Sequence, residues 1–389
     1  MTAKKVCIVG MGPAGLMAGT QLLLRGYDVH FFDHKKAAGR KFLVAGHGGF
    51  NLTHSEPKEL FVEKYNRPLI QEAFQQFDNE QWIAFLRDFI GIETFVGSSG
   101  KIFPVKGIKP IEVLDNWLVK LKSLGSIFHY SHSLLDFDRH SVTFLYKEKT
   151  VKVECDRIIL AMGGASWTKT GSTGEWLQLL QGKNIPCLPF QSSNSGFEME
   201  NWEKASELEG QTLKNVEIQL GGMKRLGDVV ISNYGLEGAP IYYVNSEYRE
   251  NRNEMLKIDL KPTKNPEEII SVLRNAKNTT EGLKNLKLSK TVIQLIKLRT
   301  NKEEFSSPEI IANRIKGLTF QITSQRPIDE VISTVGGISL EAVSSTFELK
   351  NWENVYAVGE MLDWDAPTGG YLIQGCVSTG FVVGTKMKL

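Results

Sequence analysis

One segment near the N-terminus leaves this chain few folds to choose from. Residues 5–9 are a short β-rich apolar run, GMGPAG (10–15) is a tight turn, and residues 13–25 read as the helix that the turn opens, closed by Gly26. A second β-rich run, 28–32, carries Asp33 at its end. Strand, G-x-G-x-x-G, helix and an acid about 20 residues on make a dinucleotide fingerprint in the context it requires. Gly10 allows the turn, Gly12 lets the backbone approach a pyrophosphate, and Gly15 permits close packing of helix on strand. Asp33 would accept from both ribose hydroxyls and repel a 2′-phosphate, so the adenosine half suits FAD or NAD better than NADP.

The other end of the chain supplies a counterpart. In VYAVGEMLDWDAPTGGYLIQGCVSTGFVVG (355–384) a buried strand runs into a turn at Gly359-Glu360, then a loop, then a helix starting near Gly369-Gly370. An acid at a strand tip followed by a helix start serves the far half of an extended dinucleotide. Glu360 would bond a ribityl chain, and the positive end of the helix would face the flavin pyrimidine. NAD needs no second clamp, so the pairing of the two ends favours non-covalent FAD.

Composition narrows the remaining classes. With 389 residues and a hydrophobic fraction of 41%, the chain is long enough for two or three domains. The 46 Lys and Arg nearly cancel the 44 Asp and Glu, which argues against a nucleic-acid or membrane partner and for a small-molecule substrate; the oligomeric state is undetermined. Four distant cysteines without a C-x-x-C pair, and histidines without ligand spacing, argue against disulfides, a dithiol shuttle or a metal site. A cytoplasmic location fits. The apolar run 6–24 after Lys4 and Lys5 resembles an export signal, but its glycines, Pro13 and Gln21 mark it as strand, turn and helix.

Four further motifs, GRKFLVAGHGGFNLTH (39–54), LAMGGASW (160–167) with GSTGEW (171–176), STVGGISL (333–340) and the C-terminal VGEMLDWDAPTGGY, together resemble the BaiN-like NAD(P)/FAD-dependent oxidoreductases. The resemblance spans nearly the whole chain in order. It implies an α/β fold: a Rossmann-like, glutathione-reductase-like FAD-binding domain of βββαβ type in two segments, interrupted by a small β-barrel and a helical subdomain. It also implies cofactor contacts: Gly10, Gly12, Pro13, Ala14, Gly15, Asp33 and His34 for the ADP half; Arg40 and Lys41 on the pyrophosphate or isoalloxazine side; Leu134, Ala161, Met162 and Gly163 for the adenine and ribose wall; Gly359, Glu360, Gly369, Gly370 and Tyr371 for the far clamp. The family's G-G-G-R-C-N is replaced here by residues 46–51, which removes an Arg and a Cys, and Trp364 stands where a small aliphatic residue is usual. These changes are expected beside the substrate.

The expected division is FAD segment 1 at 1–187, barrel at 188–263 with 317–326, helical subdomain at 264–316, and FAD segment 2 at 327–389. The barrel is read from β-rich runs at 216–220, 229–232, 241–244 and 256–260. The helical subdomain's many lysines read as a solvated face, with attraction of a phosphate-bearing partner as the alternative. Flavin supplies the reactive centre, so few acid or base side chains are needed. His47, with Asn51 beside it, is the catalytic candidate, because its loop should pass near the isoalloxazine. No second nucleotide domain is evident, so NADH or NADPH would bind transiently in the cleft between FAD domain and insert. The reaction expected is hydride transfer to or from a small or medium apolar carbonyl, enone or amine compound. The alternatives are an oxidase using O₂ and a redox sensor without turnover.

Overall fold

Five short apolar runs form the centre of the first of two units, which comprises residues 1–191 and 333–389. The computed structural model describes residues 3–44, 50–97, 99–252 and 254–388. Strands β1 (Lys5–Val9), β2 (Asp28–Asp33), β3 (Ile127–Tyr130), β4 (Arg157–Leu160) and β5 (Val355–Ala357) pair in parallel in the order β5-β4-β1-β2-β3. Val6, Cys7, Ile8, Ile158 and Ile159 are fully buried, as a sheet covered on both faces demands. The chain runs one way from β1 to β3 and the other way through β4 and β5, so the order reverses between β1 and β4. In an open parallel sheet that reversal opens a crevice at the carboxyl ends of the strands. Val9 is level with both Phe32 and Leu160, which brings three strand tips to one line.

The run that resembled an export signal forms β1, the glycine turn and helix α1 (Pro13–Leu24), which starts with Pro13 at its first turn. Helix α2 (Arg40–Val44) is short, and α3 (Tyr371–Lys386) closes the chain. The two ends of the sequence meet through α1 and α3: a Cβ at Gly380 would lie 2.2 Å from the Ala14 carbonyl oxygen, and one at Gly384 would lie 2.6 Å from that of Ala18. Only residues without side chains allow that approach. Arg25 then donates to the carbonyls of Gly384 and Met387 at 2.7 and 2.8 Å, a cationic cap on the negative end of α3.

The second unit, residues 192–332, has its own apolar cluster and a closed six-stranded barrel. Its strands are Phe197–Met199, Thr212–Leu220, Met223–Ile231, Gly235–Glu237, Met255–Asp259 and the returning Leu318–Gln325. One expected strand is corrected: residues 241–244 do not join the barrel, because Ala239–Tyr243 is a helical turn. Gly238, at φ +117°, turns the chain out of the sheet, and Pro240 starts the helix without an N–H for a ladder. Five helices follow between Pro266 and Lys316, capped by Asn265, Asn278, Ser289, Asn301 and Ser307. No helix among the described residues is long and apolar enough to cross a membrane.

Candidate functional site

The crevice at the sheet reversal is built from the turn after β1. Gly10 sits at φ +110°, and a Cβ there would fall 2.2 Å from the Ala161 carbonyl oxygen, so the tips of β1 and β4 touch only because residue 10 is glycine. Gly15 is confined in the same way, with its Cβ position 2.3 Å from the Gly10 carbonyl oxygen. Gly12 differs: nothing lies within 4 Å of its Cβ position. The first turn of α1 carries no side-chain cap and no acidic residue, so its leading amides point into that open space. Backbone donors, a positive dipole and a missing side chain are the fittings of a pyrophosphate.

Asp33 stands at the tip of β2, its side chain 13% exposed. Its carboxylate accepts from the Met11 amide at 3.2 Å and the Lys35 amide at 2.8 Å. A carboxylate has about four lone-pair sites, so two remain for ribose hydroxyls. Burial pushes the Asp33 pKa above its ordinary value, while the two amides and the neighbouring His34 and Lys35 oppose that rise. His34 lies 3.6 Å from Asp33, and burial lowers its imidazole pKa. Across the crevice, Ala161 donates to the Val9 carbonyl at 2.7 Å, the Met162 amide lies 3.0 Å from Met361 Sδ, and the Gly163 carbonyl takes the Trp176 indole N–H at 3.0 Å. Leu134 lies apart from these tips in sequence, in the antiparallel strand Ser133–Phe137, partly exposed. Arg40 opens α2 with its side chain exposed.

The far clamp contains an ion pair that the sequence reading did not foresee. Lys41 Nζ donates to both Glu360 oxygens, at 2.8 and 2.7 Å, and to Ser166 Oγ at 2.8 Å. The Thr334 amide reaches Glu360 Oε1 at 3.3 Å, and Thr334 Oγ1 accepts from the Ala165 amide at 3.1 Å. Two residues expected to bind the cofactor separately are therefore brought together. Ser166 and Thr334, in motifs quoted above but given no role, complete the cluster. Gly359 holds its tip against α1, with its Cβ position 2.8 Å from Ala14 Cβ.

Helix α3 starts at Gly370, in left-handed backbone at φ +100°, with no side-chain cap. A Cβ there would lie 2.5 Å from Thr53 Cα. The Tyr371 side chain is occupied: its ring is stacked on His54, its hydroxyl donates to Glu56, and 6% of the residue is exposed. What the start of α3 offers a flavin is backbone. Trp364, expected beside the substrate, is instead a packing residue: it is 2% exposed, donates from Nε1 to the Gly359 carbonyl at 2.8 Å, and covers Gly375. Cys376 has its thiol pushed up to about 12 by burial and by Glu360, which removes it as a nucleophile.

Sequence reasoning passed over residues 91–108, and there the structure has a pocket of about 520 Å³, open to the surface and lined by Phe50, Phe95, Phe103 and the turn from Pro104 to Ile108. Strand Lys101–Pro104 forms part of its wall and pairs with Thr53–His54, the segment on which Gly370 rests. The pocket and the start of α3 thus share one small antiparallel sheet, Thr53–His54, Lys101–Pro104 and Thr94–Val96. The signal available was three phenylalanines around a Pro-Val-Lys-Gly turn. Asn51, half-buried, follows Phe50 in the chain; His47 lies outside the described residues.

The HI0933-like protein Rossmann domain matches residues 4–386. A ribosomal RNA dihydrouridine synthase of Haemophilus influenzae is 25% identical, covering 98% of each chain. A 3-dehydro-bile acid delta(4,6)-reductase of Clostridium scindens is 21% identical, again over 98% of each. Among solved structures, the open form of a flavocytochrome c3 fumarate reductase superposes with a TM-score of 0.54 at 12% identity, covering 98% of this chain and 78% of that one. The 3-ketosteroid-delta4-(5alpha)-dehydrogenase of Rhodococcus jostii RHA1 gives 0.52 at 12% identity, covering 98% and 96%. These two likenesses speak for the fold alone. The motif resemblance holds over the full length, and the chain belongs to the HI0933-like family.

Proposed function

We propose that this FAD-dependent oxidoreductase carries hydride from NADH or NADPH to a carbon–carbon double bond conjugated to a carbonyl in a flat ring. The first substrate to consider is a uracil within RNA, and the second a polycyclic enone. Both relatives are named for saturating such a bond, in uracil for one and in a 3-keto steroid acid for the other. The open surface pocket at Phe50, Phe95 and Phe103 supports the reading on the side of this chain, since its lining is apolar and it shares a three-stranded sheet with the start of α3.

FAD, when bound, supplies hydride at N5. The amides of α1 and the open face of Gly12 would hold its pyrophosphate, and Asp33 its adenosine ribose. Glu360 fixes Lys41, so one cation stands beside the far clamp with its charge balanced. The uncapped start of α3 would favour negative charge on the flavin pyrimidine. The exposed ring of Phe95, with Phe103 beside it, would stack on a flat substrate ring. Saturation adds one hydride to the β-carbon and one proton to the α-carbon. His47 is the residue proposed to deliver the proton, with Asn51 as a carbonyl contact.

Anaerobic mixing with NADH or NADPH tests the first half: the flavin absorbance should bleach with one of them. The reduced protein should then add two mass units to a uridine-containing ribosomal RNA transcript or to a Δ4-3-ketosteroid. Bleaching by neither nicotinamide, or transfer to neither acceptor, would overturn the proposal, and peroxide release with an amine would mark an oxidase instead.

A further inference from the structure

The near-zero net charge of the chain conceals an uneven distribution. Between Arg274 and Lys302 there are eight Lys and Arg against a single acid, Glu281, while the rest of the chain carries 38 against 43. Three of the eight are engaged within the unit. Arg274 pairs with Glu309, Lys297 lies over the Phe305 ring at 5.4 Å, and Arg299 donates to the Thr319 carbonyl at 3.0 Å and covers Phe320. The other five, Lys277, Lys284, Lys287, Lys290 and Lys302, are exposed, and the ammonium group of none pairs with a carboxylate among the described residues.

Lys284, Lys287 and Lys290 follow one another through the turn between helices Thr279–Asn285 and Lys290–Leu298. Lys290 occupies the first position of its helix, where a positive charge opposes the dipole. The four other helices of this subdomain each carry glutamate in the first turn, and this one carries no acid there. The charge is therefore placed against the helix's own preference. The run from Lys284 to Lys290 spans at most ~20 Å, over which a nucleic-acid backbone presents about six charges at roughly 3.4 Å per strand.

We infer that this lysine edge docks the sugar–phosphate backbone of RNA, holding the polynucleotide whose uracil ring the enzyme reduces; the inference rests on the RNA arm of the function proposed above. The company of the lysines favours RNA over a lipid surface. Leu283, Leu286 and Leu288 on this stretch are turned inward, at 0%, 1% and 9% exposure, so no apolar side chain is left to enter a bilayer. Asn278, Asn285 and Ser289 are the exposed residues between the lysines; the oxygens of Asn278 and Ser289 cap their helices, and the amide and hydroxyl donors of the three suit phosphate and ribose contacts.

The test measures binding of a fluorescent RNA stem-loop with a uridine loop to the intact flavoprotein over a range of salt. Relative to wild type, K284Q/K287Q/K290Q should bind at least tenfold more weakly, and the slope of log affinity against log salt should fall by about 2 to 3. K284R/K287R/K290R should retain binding, and so should K120Q/K122Q/K149Q, which removes equal charge from exposed sites in the other unit. Flavin bleaching by the nicotinamide should be unchanged in every variant, which certifies fold and cofactor. Equal RNA binding by the glutamine variant and wild type would overturn the inference even if uracil is reduced. So would wild type that ignores RNA, or that binds phosphatidylserine vesicles in its place. RNA bound through these lysines with no uracil reduced would leave the docking edge standing and remove the substrate reading.

Discussion

In the turn at residues 10–15 two glycines, Gly10 and Gly15, are confined by neighbouring backbone, while Gly12 faces open space. The structure separates the glycines by what a side chain would strike, and that difference can be measured. Gly12→Val adds atoms to open space at ordinary φ, so the apoprotein should keep its stability within about 0.5 kcal/mol. FAD uptake should nevertheless be lost, because the valine would stand where the pyrophosphate approaches. Gly15→Val drives a side chain into the Gly10 carbonyl and Ile8, and should cost the apoprotein about 3 kcal/mol. Urea unfolding of both apoproteins, with flavin titration, decides this, and equal destabilisation by the two would refute the reading of Gly12 as a ligand face. The Lys41–Glu360 pair was not legible. Its partners are 319 positions apart, and each residue alone looks like a cofactor contact.

Elements were legible where period and punctuation agreed, and misread where composition stood alone. Residues 241–244 read Ile-Tyr-Tyr-Val, rich in strand formers, yet the glycine and proline before them decide for a helical turn. Helix α3 shows the converse, since its glycines weaken helix propensity and are explained by its contact with α1. Gly380→Ala keeps the helix but places a methyl 2.2 Å from the Ala14 carbonyl, so α1 and α3 must part. A loss of about 2 kcal/mol is expected, together with weaker FAD binding because Ala14 lies in the first turn of the anion-binding helix. An unchanged melting temperature would show that the helices adjust freely. Strands β2 and β3 carry a second test. His30 Nδ1 and His129 Nε2 lie 3.1 Å apart in stacked rings, with Asp28 at the far side of His30 and His132 against His129. Burial, with His30 and His132, lowers His129 from 6.5 to about 4, and burial lowers His30 as well. The unfolded chain then takes up protons near pH 6.5 that the native state refuses until about 4. Stability should be full at pH 7 and decline between those values, by about 1 kcal/mol for the half-withdrawn His129 ring. His129→Phe, which keeps the stack on Phe32, should flatten that decline in denaturant titrations at pH 7 and 5.

At the scale of the whole molecule, the sequence carries its main message in the agreement of its ends. Two glycine-bearing strand tips more than three hundred residues apart are each weak signals, and together they imply one extended cofactor and an insertion between the halves. The strand order that brings them together was open to inference only through the fold class, because nothing local in β4 or β5 states which edge of β1 they occupy. The pocket by Phe103 escaped for a related reason: a pocket is a property of elements that meet, and Phe50 reaches Phe95 and Phe103 only when Thr53–His54 pairs with Lys101–Pro104, nearly fifty residues on. Since the clamp residues lie in the unit formed by residues 1–191 and 333–389, the free energy of FAD binding should appear there. Ligand at a hundred times its Kd adds about 2.7 kcal/mol to the state that binds it. Hydrogen exchange of apo and FAD-loaded protein should therefore show slower exchange through β1, β4, α1 and α3. The barrel strands Thr212–Leu220 and Met223–Ile231, whose side chains belong to the other apolar cluster, should exchange at unchanged rates. Protection that rose equally in those strands would mean that the cofactor is clamped by both units, and that the crevice at the sheet reversal is only part of its site.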